Sequence, residues 1–544
     1  MIRRVCHVVA TVFLCAVCLP APGQLNTTAI SQLQQATVRI SVAGSGLCSA
    51  VFVTPHGHLL TANHGIPEGS REIRVSLMDG SNRVAELMAR DVPSDTALLR
   101  LRSVATATAN SAANSVPASV PAWVPLSPTA PSTGDMLLAL GYPAREPSSC
   151  PPAIRLGSVL AADPALLRTS CMLTVGDSGG PLLNRQGQLV GLHRQIGAGP
   201  EANLHVALQP LKNLLNGAGV EPPLQHPALP PLWSGILQWQ PSPEILIQAT
   251  SSTLELLTEP TATEVLGLGT RLDPRFAATK LSLLKPDRPI YGRFCNGTVQ
   301  QLQIVRSNPG VDFAVLECQQ WQSLPACGTL QMGDALAGEI VVAVAGLGTK
   351  NGSCRIVGPG VIARVNHTEL PAKLHLGLQL QDLSPSSGGL WVHEAAPGSP
   401  AAAAGLHAGD RLLSLNANPI LSLPQLTREL QHYQPGDWLT FDFLKSGQKM
   451  RTVLQAGHDP GVMFNRLEYL DGRAGAISQR RTGFPDVVQH DIVLEPKECG
   501  GLLISSGGRI VGWNVARRAR ESSLALPLQV LKEELTKAAE TAQK

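Results

Sequence analysis

The feature that most constrains the fold of this chain is an internal repeat. Three segments reappear in the second half of the chain with the same order and a similar pattern of apolar and glycine residues: residues 94–99 as 311–316, residues 179–191 as 500–512, and residues 208–212 as 528–532. Self-similarity of this kind indicates one structural unit that is built twice. At 544 residues the chain is long enough for several domains, each with its own core.

The repeated unit has the sequence pattern of a β-barrel or β-sandwich. From Ala36 onwards, short runs rich in Val, Leu and Ile alternate with turn residues, which is typical of antiparallel strands. Residues 104–133 are small or polar almost throughout and predict an exposed connector between two barrels. A short helix is expected from Leu208 to Leu215. We therefore predict a mainly β chain in which a double β-barrel occurs twice.

The second copy of the unit contains an insert. It is longer between Asp312 and Cys499 than the first copy is between Asp95 and Ser178, by about the length of one small domain. Residues 373–458 have the α+β pattern expected of that insert. The predicted organisation is a signal peptide over residues 1–23, a first unit over 24–216, a linker over 217–249, a second unit over 250–372 and 459–544, and the insert over 373–458.

The N-terminus has the pattern of a secretory signal. Arg3 and Arg4 make it basic, an apolar run follows from Val5 to Leu19, and small residues precede a cleavage position after Gly23. The run is short for a membrane span, so we expect an exported protein, periplasmic or secreted, with an uncleaved membrane anchor as the alternative. No later segment predicts a stable membrane span.

Charge and cysteine usage argue against several kinds of partner and cofactor. The net charge of +3 without a long basic run argues against a nucleic-acid partner. No CxxC pair occurs after the signal, so we predict neither a zinc site nor any other metal or cofactor. In an oxidising compartment, Cys150 with Cys171 and Cys318 with Cys327 are candidate disulfides.

Residues 176–181, GDSGGP, have the pattern of a nucleophile's turn. A serine between glycines exposes its hydroxyl, and the N–H groups of Gly176 and Ser178 can point at a developing oxyanion. Upstream, His64 ends one apolar strand and Asp95 begins another. These residues fit a catalytic triad in which Ser178 attacks, His64 acts as the base and Asp95 orients the imidazole.

Three motifs carry a resemblance to a known family: TANHG around His64, SDTALLRL around Asp95 and GDSGGPL around Ser178. With the insert, which is PDZ-like, the chain resembles chymotrypsin-fold serine proteases of the HtrA (DegP) type. The resemblance implies two chymotrypsin-like barrels in each unit, endopeptidase activity, and unfolded exported proteins as substrates in protein quality control. It also implies a homo-oligomer as one state of assembly, since HtrA relatives often form trimers.

The chain departs from the family pattern next to the nucleophile. HtrA proteins usually carry Asn before the serine, whereas Asp177 resembles the digestive trypsins, and no IVGG-like activation site precedes the barrel. The connector is unusually long, and the PDZ-like segment is not a simple C-terminal appendage. These differences leave the mode of activation open.

Met172 indicates the substrate preference. It lies six residues before Ser178, where the fold of this family places the base of the primary pocket. An apolar base cannot pair with Lys or Arg, so we expect cleavage after small or medium apolar residues.

The second copy has a degenerate site. Aligned with the first copy, Ser282 takes the place of the histidine, Asp312 that of the aspartate and Cys499 that of the serine. A thiolate needs a base or a positive neighbour to form, and His490 is the nearby candidate. We predict a structural second unit, with a cysteine enzyme as the alternative.

Leu376-Gly377-Leu378 resembles the carboxylate-binding loop of PDZ domains. Such domains add a C-terminal peptide segment to a sheet edge, so the resemblance implies peptide binding, with a module that only packs as the alternative. For the whole chain, the rival to a protease is an inactive PDZ-containing scaffold or holdase that binds unfolded or C-terminal peptide segments.

Overall fold

A computed structural model describes residues 24–42, 46–70, 72–102, 122–147, 149–197, 199, 202–233, 241–324, 326–329, 331–348, 354–382, 388–459 and 466–542. The predicted signal peptide and most of the predicted connector lie outside the described residues. In the described part, four closed barrels of six strands each are arranged as two double-barrel units, and a separate open sheet forms the insert. The prediction of a mainly β, repeated double-barrel chain with a PDZ-like module is confirmed.

The first unit is a helix, two barrels and a closing helix. Its elements are α1 (Thr27–Ala36), β1 (Thr37–Ser41), β2 (Leu47–Phe52), β3 (His58–Ala62), β4 (Ile73–Ser76), β5 (Asn82–Asp91), β6 (Thr96–Leu101), β7 (Met136–Gly141), β8 (Ala153–Ala162), β9 (Leu166–Thr169), β10 (Pro181–Leu183), β11 (Leu189–Gln195), β12 (Asn203–Ala207) and α2 (Leu208–Gly217). The barrels close in the orders β1-β2-β3-β6-β5-β4 and β7-β8-β9-β12-β11-β10.

The second unit begins in the same way, with a helix before its first barrel. Its elements before the insert are α3 (Pro243–Ser252), β13 (Thr253–Leu257), β14 (Gly267–Arg271), β15 (Phe276–Lys280), β16 (Ile290–Phe294), β17 (Val299–Asn308), β18 (Phe313–Cys318), β19 (Ile340–Leu347) and β20 (Cys354–Glu369). Helix α3 begins inside residues 217–249, the predicted linker, so part of that segment is helical.

The insert leaves the second unit after β20. Its elements are β21 (Leu374–His375), β22 (Leu378–Asp382), β23 (Leu390–Ala395), α4 (Pro400–Ala403), β24 (Arg411–Leu415), β25 (Asn418–Pro419), α5 (Leu423–Leu430), β26 (Trp438–Lys445), β27 (Gln448–Gln455) and β28 (Gly457–His458). The main sheet runs β22-β23-β24-β26-β27, and β21 pairs with β28 where the chain enters and leaves. Strand β22 is therefore an edge strand in the described part of the sheet.

The second unit is completed after the insert. The remaining elements are α6 (Arg466–Arg473), β29 (Phe484–His490), β30 (Leu502–Ser505), β31 (Ile510–Ala519), β32 (Ser522–Leu526) and α7 (Leu528–Ala542). Its barrels close in the orders β13-β14-β15-β18-β17-β16 and β19-β20-β29-β32-β31-β30, the same topology as in the first unit. The insert thus interrupts one barrel without changing its strand order.

The two units share a hydrophobic core. Helix α1 buries Ile30 and Leu33, and the cluster that these side chains enter also contains Ile340 and Val361 of the second unit. The Asn26 side chain caps α1 by accepting a hydrogen bond from the Ala29 N–H at 3.1 Å. Burial of apolar surface across both units holds them together as well as filling each barrel.

The structure also bears on the predicted disulfides, on the predicted helix from Leu208 and on membrane-spanning helices. The described cysteines are all free, so both candidate disulfides are wrong: Cys171 is buried beside β7, whereas Cys150 lies close to Glu146 and His367. The helix predicted from Leu208 is present and extends to Gly217. In the described part of the chain, no helix has both the length and the apolar character that a membrane crossing requires.

Candidate active site

His64 and Asp95 meet at the edge of the first barrel. His64 lies in a short 3-10 turn directly after β3, and Asp95 precedes β6 with a φ of +59°. The Asp95 carboxylate accepts hydrogen bonds from the His64 backbone N–H at 2.9 Å and from His64 Nδ1 at 2.7 Å. This contact places the ring proton on Nδ1 and leaves Nε2 as a proton acceptor. His64 is half exposed, with 49% of its side chain accessible.

The turn that carries Ser178 is pressed against the strand that leads to His64. Gly179 has a φ of +83°, and a Cβ there would lie 2.4 Å from Thr61 Oγ1 and 2.6 Å from the Ala62 nitrogen. Both the positive φ and the close approach to the neighbouring strand require glycine at this position. Ser178 is partly exposed beside His64's strand, but within the described residues no hydrogen bond joins Ser178 to His64. Hydrogen bonds of this kind are often long in unliganded enzymes.

Ser49 of the first barrel fixes the turn that carries Ser178, and this turn belongs to the second barrel. Its N–H donates to the Ser178 carbonyl at 2.9 Å, and its hydroxyl donates to the Gly176 carbonyl at 2.9 Å. The same hydroxyl accepts a hydrogen bond from the Tyr142 N–H. The N–H groups of Gly176 and Ser178 make no hydrogen bond to any described residue, so both remain available to an oxyanion. Sequence reasoning missed Ser49 because its partners are far away in the chain.

Asp177 is buried directly before Ser178 in the chain. Its Oδ2 accepts hydrogen bonds from Arg155 Nη1 at 2.7 Å and from the Thr174 N–H at 2.8 Å. Burial raises the pKa of Asp177 to about 6, and the Arg155 guanidinium opposes that rise. Arg155 is itself almost fully buried in β8. The acidic residue that departs from the family pattern therefore has an internal cation as its partner.

Met172 is buried next to the wall of the second barrel. Its sulfur accepts a hydrogen bond from Asn203 Nδ2 at 3.8 Å, while Asn203 Oδ1 accepts one from the Leu173 N–H at 3.2 Å. Arg520 of the second unit also reaches Asn203 Oδ1, at 3.5 Å. Asn203 therefore links Met172, the predicted base of the pocket, to Arg520 of the second unit.

The degenerate site of the second unit reproduces the geometry of the first. The Asp312 carboxylate accepts hydrogen bonds from the Ser282 N–H at 2.7 Å and from its hydroxyl at 2.9 Å, the two contacts that His64 makes with Asp95. Asp312 also has a positive φ, of +54°. Ser282 is the counterpart of His64 in position, and its hydroxyl is not a base at neutral pH.

A lysine occupies the degenerate site. Lys280 Nζ lies 2.9 Å from Asp312 Oδ2 and is almost fully buried, so the aspartate is already paired. Cys499 is completely buried, and this burial raises the pKa of its thiol. His490 Nε2 donates a hydrogen bond to Asn514 Oδ1 at 2.9 Å, and burial lowers the pKa of His490 to about 4. Burial therefore disfavours the Cys499 thiolate, and the candidate base His490 is bonded to Asn514.

The insert covers this degenerate site. Trp438, the first residue of β26, donates a hydrogen bond from Nε1 to the Ser282 carbonyl at 2.9 Å, and Lys285 Nζ lies 5.5 Å from the Trp438 ring centre. Ser282 is buried, whereas His64 is half exposed. A substrate would have to displace the insert in order to reach the second site.

Leu376, Gly377 and Leu378 lie at the start of the insert's edge strand. The Leu376 side chain is buried in the core of the insert, and Gly377 has a φ of +75°. The Leu376 and Gly377 carbonyls accept hydrogen bonds from Ala401 and Ala396, but the Gly377 N–H makes no hydrogen bond to a described residue. A free N–H at the head of an unpaired strand edge is compatible with a carboxylate-binding loop.

Glu146, Cys150 and His367 bring three potential metal ligands within 4.8 Å of one another. Two arginines already compensate Glu146, since Arg518 Nη1 lies at 2.7 Å and Arg364 Nη1 at 2.8 Å. Contacts with Cys150 and Glu369 raise the pKa of His367 to about 9, which favours the protonated ring over a metal ligand. This cluster is an ion-pair network between the units.

Comparison with protein families assigns two parts of the chain. Residues 48–192 match the model of the trypsin-like peptidase domain, and residues 375–454 match the model of the PDZ domain. The chain therefore contains a trypsin-like peptidase domain and a PDZ domain. Together with the relatives below, this confirms the sequence-based prediction of a serine endopeptidase.

Two bacterial relatives carry the name of a probable periplasmic serine endoprotease. The chain is 27% identical over 402 residues to the "Probable periplasmic serine endoprotease DegP-like" of Pseudomonas savastanoi pv. phaseolicola, which covers 70% of this chain and 72% of that protein. It is 29% identical over 154 residues to the protein of the same name from Ectopseudomonas mendocina, covering 28% of this chain and 29% of the relative. The solved serine endoprotease from Yersinia pestis covers 81% of this chain and 99% of its own at 15% identity, with a TM-score of 0.30, too low to establish a shared overall architecture.

Proposed function

We propose that the chain is an exported serine endopeptidase whose catalytic residues are Ser178, His64 and Asp95. The observation that carries this proposal is the 2.7 Å contact between His64 Nδ1 and Asp95 Oδ2, next to a serine turn that is fixed by Ser49. The contact selects the tautomer in which Nε2 can take a proton from the Ser178 hydroxyl.

The reaction would proceed in two steps. Ser178 Oγ attacks the scissile carbonyl while its proton moves to His64 Nε2, and the oxyanion is stabilised by the N–H groups of Gly176 and Ser178. His64 then gives the proton to the leaving amine, and an acyl-enzyme remains on Ser178. Water, activated by His64, hydrolyses this ester and restores the free hydroxyl. Asp95 stabilises the imidazolium in both steps.

We expect a fluorophosphonate probe to label the full chain only while Ser178 is intact. Ser178→Ala should remove both labelling and casein digestion, because the probe and the substrate require the same nucleophile. Cys499→Ser is the matched control, since it changes the equivalent position of the second unit and should leave both readouts unchanged. An unlabelled native chain, with casein digestion identical in Ser178→Ala, would favour the inactive scaffold.

The relatives suggest where the protein acts. They are named as periplasmic proteases, which supports export and, with the resemblance to HtrA proteins, a role in degrading unfolded exported proteins. Apolar Met172, at the position predicted for the pocket base, supports cleavage after small or medium apolar residues. The second double-barrel unit is proposed to be structural, because Lys280 occupies its site and the insert covers it.

The PDZ domain is proposed to capture C-terminal peptide segments between the edge of β22 and helix α5. Leu380 of β22 is half buried beside the core of the domain, whereas the neighbouring Gln381 is exposed. In a strand, neighbouring side chains point to opposite faces, so Leu380 lies on the side that a bound peptide would contact.

We expect Leu380→Asp to weaken peptide binding to the full chain by about tenfold or more, because a carboxylate replaces apolar contact area. Gln381→Asp introduces the same group on the opposite face and should bind nearly as the native chain does. Fluorescence anisotropy with apolar C-terminal peptides measures this, and amidated peptides should bind more weakly than those with a free carboxylate. Equal binding by both variants, or by both peptide forms, would remove the PDZ role.

A further inference from the structure

The buried pair of Arg155 and Asp177 lies directly behind the nucleophile, and the mechanism above does not use it. The two side chains are 2% and 1% exposed, and Arg155 Nη1 is 2.7 Å from Asp177 Oδ2. A buried ion pair of this kind is costly to form unless its geometry is good. Its place directly behind Ser178 therefore suggests a role at the active site.

Asp177 is held at its backbone as well as at its side chain. Its N–H donates to the Thr174 carbonyl at 3.2 Å, its carbonyl accepts from the Gly180 N–H at 2.8 Å, and its carboxylate accepts from the Thr174 N–H. These bonds set the orientation of the peptide groups on either side of Asp177. One of those groups carries the Ser178 N–H, and the residue before Asp177 is Gly176. The position of Asp177 therefore bears directly on the Ser178 N–H, and it bears on the Gly176 N–H through the peptide group that joins Gly176 to Asp177.

Space for the carboxylate is provided by a glycine in the neighbouring strand. A Cβ at Gly141 would lie 2.4 Å from Asp177 Oδ1, so any larger residue would push the side chain away. Arg155 is fixed in turn by the second unit, because the next residue of β8, Leu156, donates its N–H to Asp491 Oδ2 at 2.6 Å. Asp491 Oδ1 also accepts the Val361 N–H at 2.6 Å. The cation that faces Asp177 thus lies on a strand that both units hold in place.

We propose that Arg155 is a positioning residue that keeps the oxyanion donors in their active arrangement through Asp177. A cation built into the chain would hold the turn in place, which accounts for an acidic residue directly before the serine. The inference deepens the proposed function and rests on it.

The second unit offers a matched control. Glu498, which directly precedes Cys499, pairs with Arg355 of β20 at 2.5 Å, so an arginine from the equivalent strand again faces the acid before the nucleophile position. Arg355 is 49% exposed and its site is degenerate. Its substitution tests the effect of losing such a pair outside the catalytic unit.

The test compares Arg155→Gln, Arg155→Lys and Arg355→Gln in the full chain, with an apolar peptide p-nitroanilide as substrate and a peptide boronic acid as transition-state analogue. We expect Arg155→Gln to lower kcat by about 100-fold and to weaken boronate binding to a similar degree, with KM changed by less than about threefold, because oxyanion donors act mainly in the transition state. Arg155→Lys should recover part of kcat, and Arg355→Gln should match the native chain.

Thermal unfolding identifies variants that have simply lost their fold. If Arg155→Gln does not fold, the double variant Arg155→Gln with Asp177→Asn removes the charge of both partners, and its kcat should still be at least about tenfold low because a neutral pair holds the turn more weakly. A folded variant with native kcat and native boronate affinity would overturn the role of Arg155 and leave the proposed function intact. A native chain that neither hydrolyses the substrate nor reacts with a fluorophosphonate would overturn the proposed function, and the inference with it.

Discussion

Replacing His64 with alanine is expected to lower kcat by about 10⁴-fold or more, with little change in the thermal midpoint of unfolding. The side chain is half exposed, and among the described residues its ring bonds only to Asp95, so its loss leaves no cavity in the core. Without the imidazole, nothing removes the proton from Ser178 Oγ, and the hydroxyl is a poor nucleophile at neutral pH.

Asp95→Asn separates orientation from proton transfer. An amide in place of the carboxylate can donate to Nδ1 and so favour the wrong tautomer, and we expect kcat to fall by about 10⁴-fold while KM stays near its native value. The measurement is steady-state hydrolysis of the apolar p-nitroanilide, with the contribution of trace contaminants set by Ser178→Ala.

Asp312→Asn is the matched control for Asp95→Asn, because Asp312 makes the corresponding contacts to Ser282 in the second unit. It should leave kcat unchanged, although the loss of its pairing with buried Lys280 should lower the thermal midpoint. Native activity in His64→Ala would contradict the assigned base. Loss of activity in Asp312→Asn, in a protein that remains folded, would contradict a purely structural second unit.

The sequence predicts the parts of the molecule that depend on local pattern. Turn residues between short apolar runs mark the strands, and the spacing of the repeat marks the two units, because both follow from the chain's own periodicity. His64 and Asp95 could be selected because each lies at the end of an apolar strand within a short motif. Their 2.7 Å contact then depends only on the pairing of β3 with β6.

What the sequence does not reveal are contacts between residues far apart in the chain. Ser49 holds the Ser178 turn, Asp491 holds the strand of Arg155, and Trp438 covers the degenerate site, but none of them lies in a recognisable motif. Each is an ordinary polar or aromatic residue whose role depends on how whole barrels pack. The disulfide predictions failed as well, because the spacing of cysteines in the sequence does not supply the geometry that a disulfide requires.

Gly179 approaches the first barrel closely, so a larger residue there should reduce both activity and stability. We expect Gly179→Ala to abolish measurable hydrolysis and to destabilise the first unit by about 2–5 kcal/mol, of which about 1–2 kcal/mol comes from the positive φ and about 1–3 kcal/mol from overpacking. A Cβ at this position would lie 2.4 Å from the Ser49 carbonyl oxygen, so the turn and the barrel must move apart.

Gly80→Ala isolates the clash from the backbone strain. Gly80 has the same φ of +83°, but a Cβ there meets no atom within 4 Å. It should cost about 1–2 kcal/mol and leave kcat unchanged, as judged by chemical unfolding and by p-nitroanilide hydrolysis. A displacement of Ser178 by about 1 Å already lowers the rate by about 100-fold, so Gly179→Ala should lose activity even where it folds. Equal effects of the two substitutions would show that the contact between the barrels does not position the nucleophile.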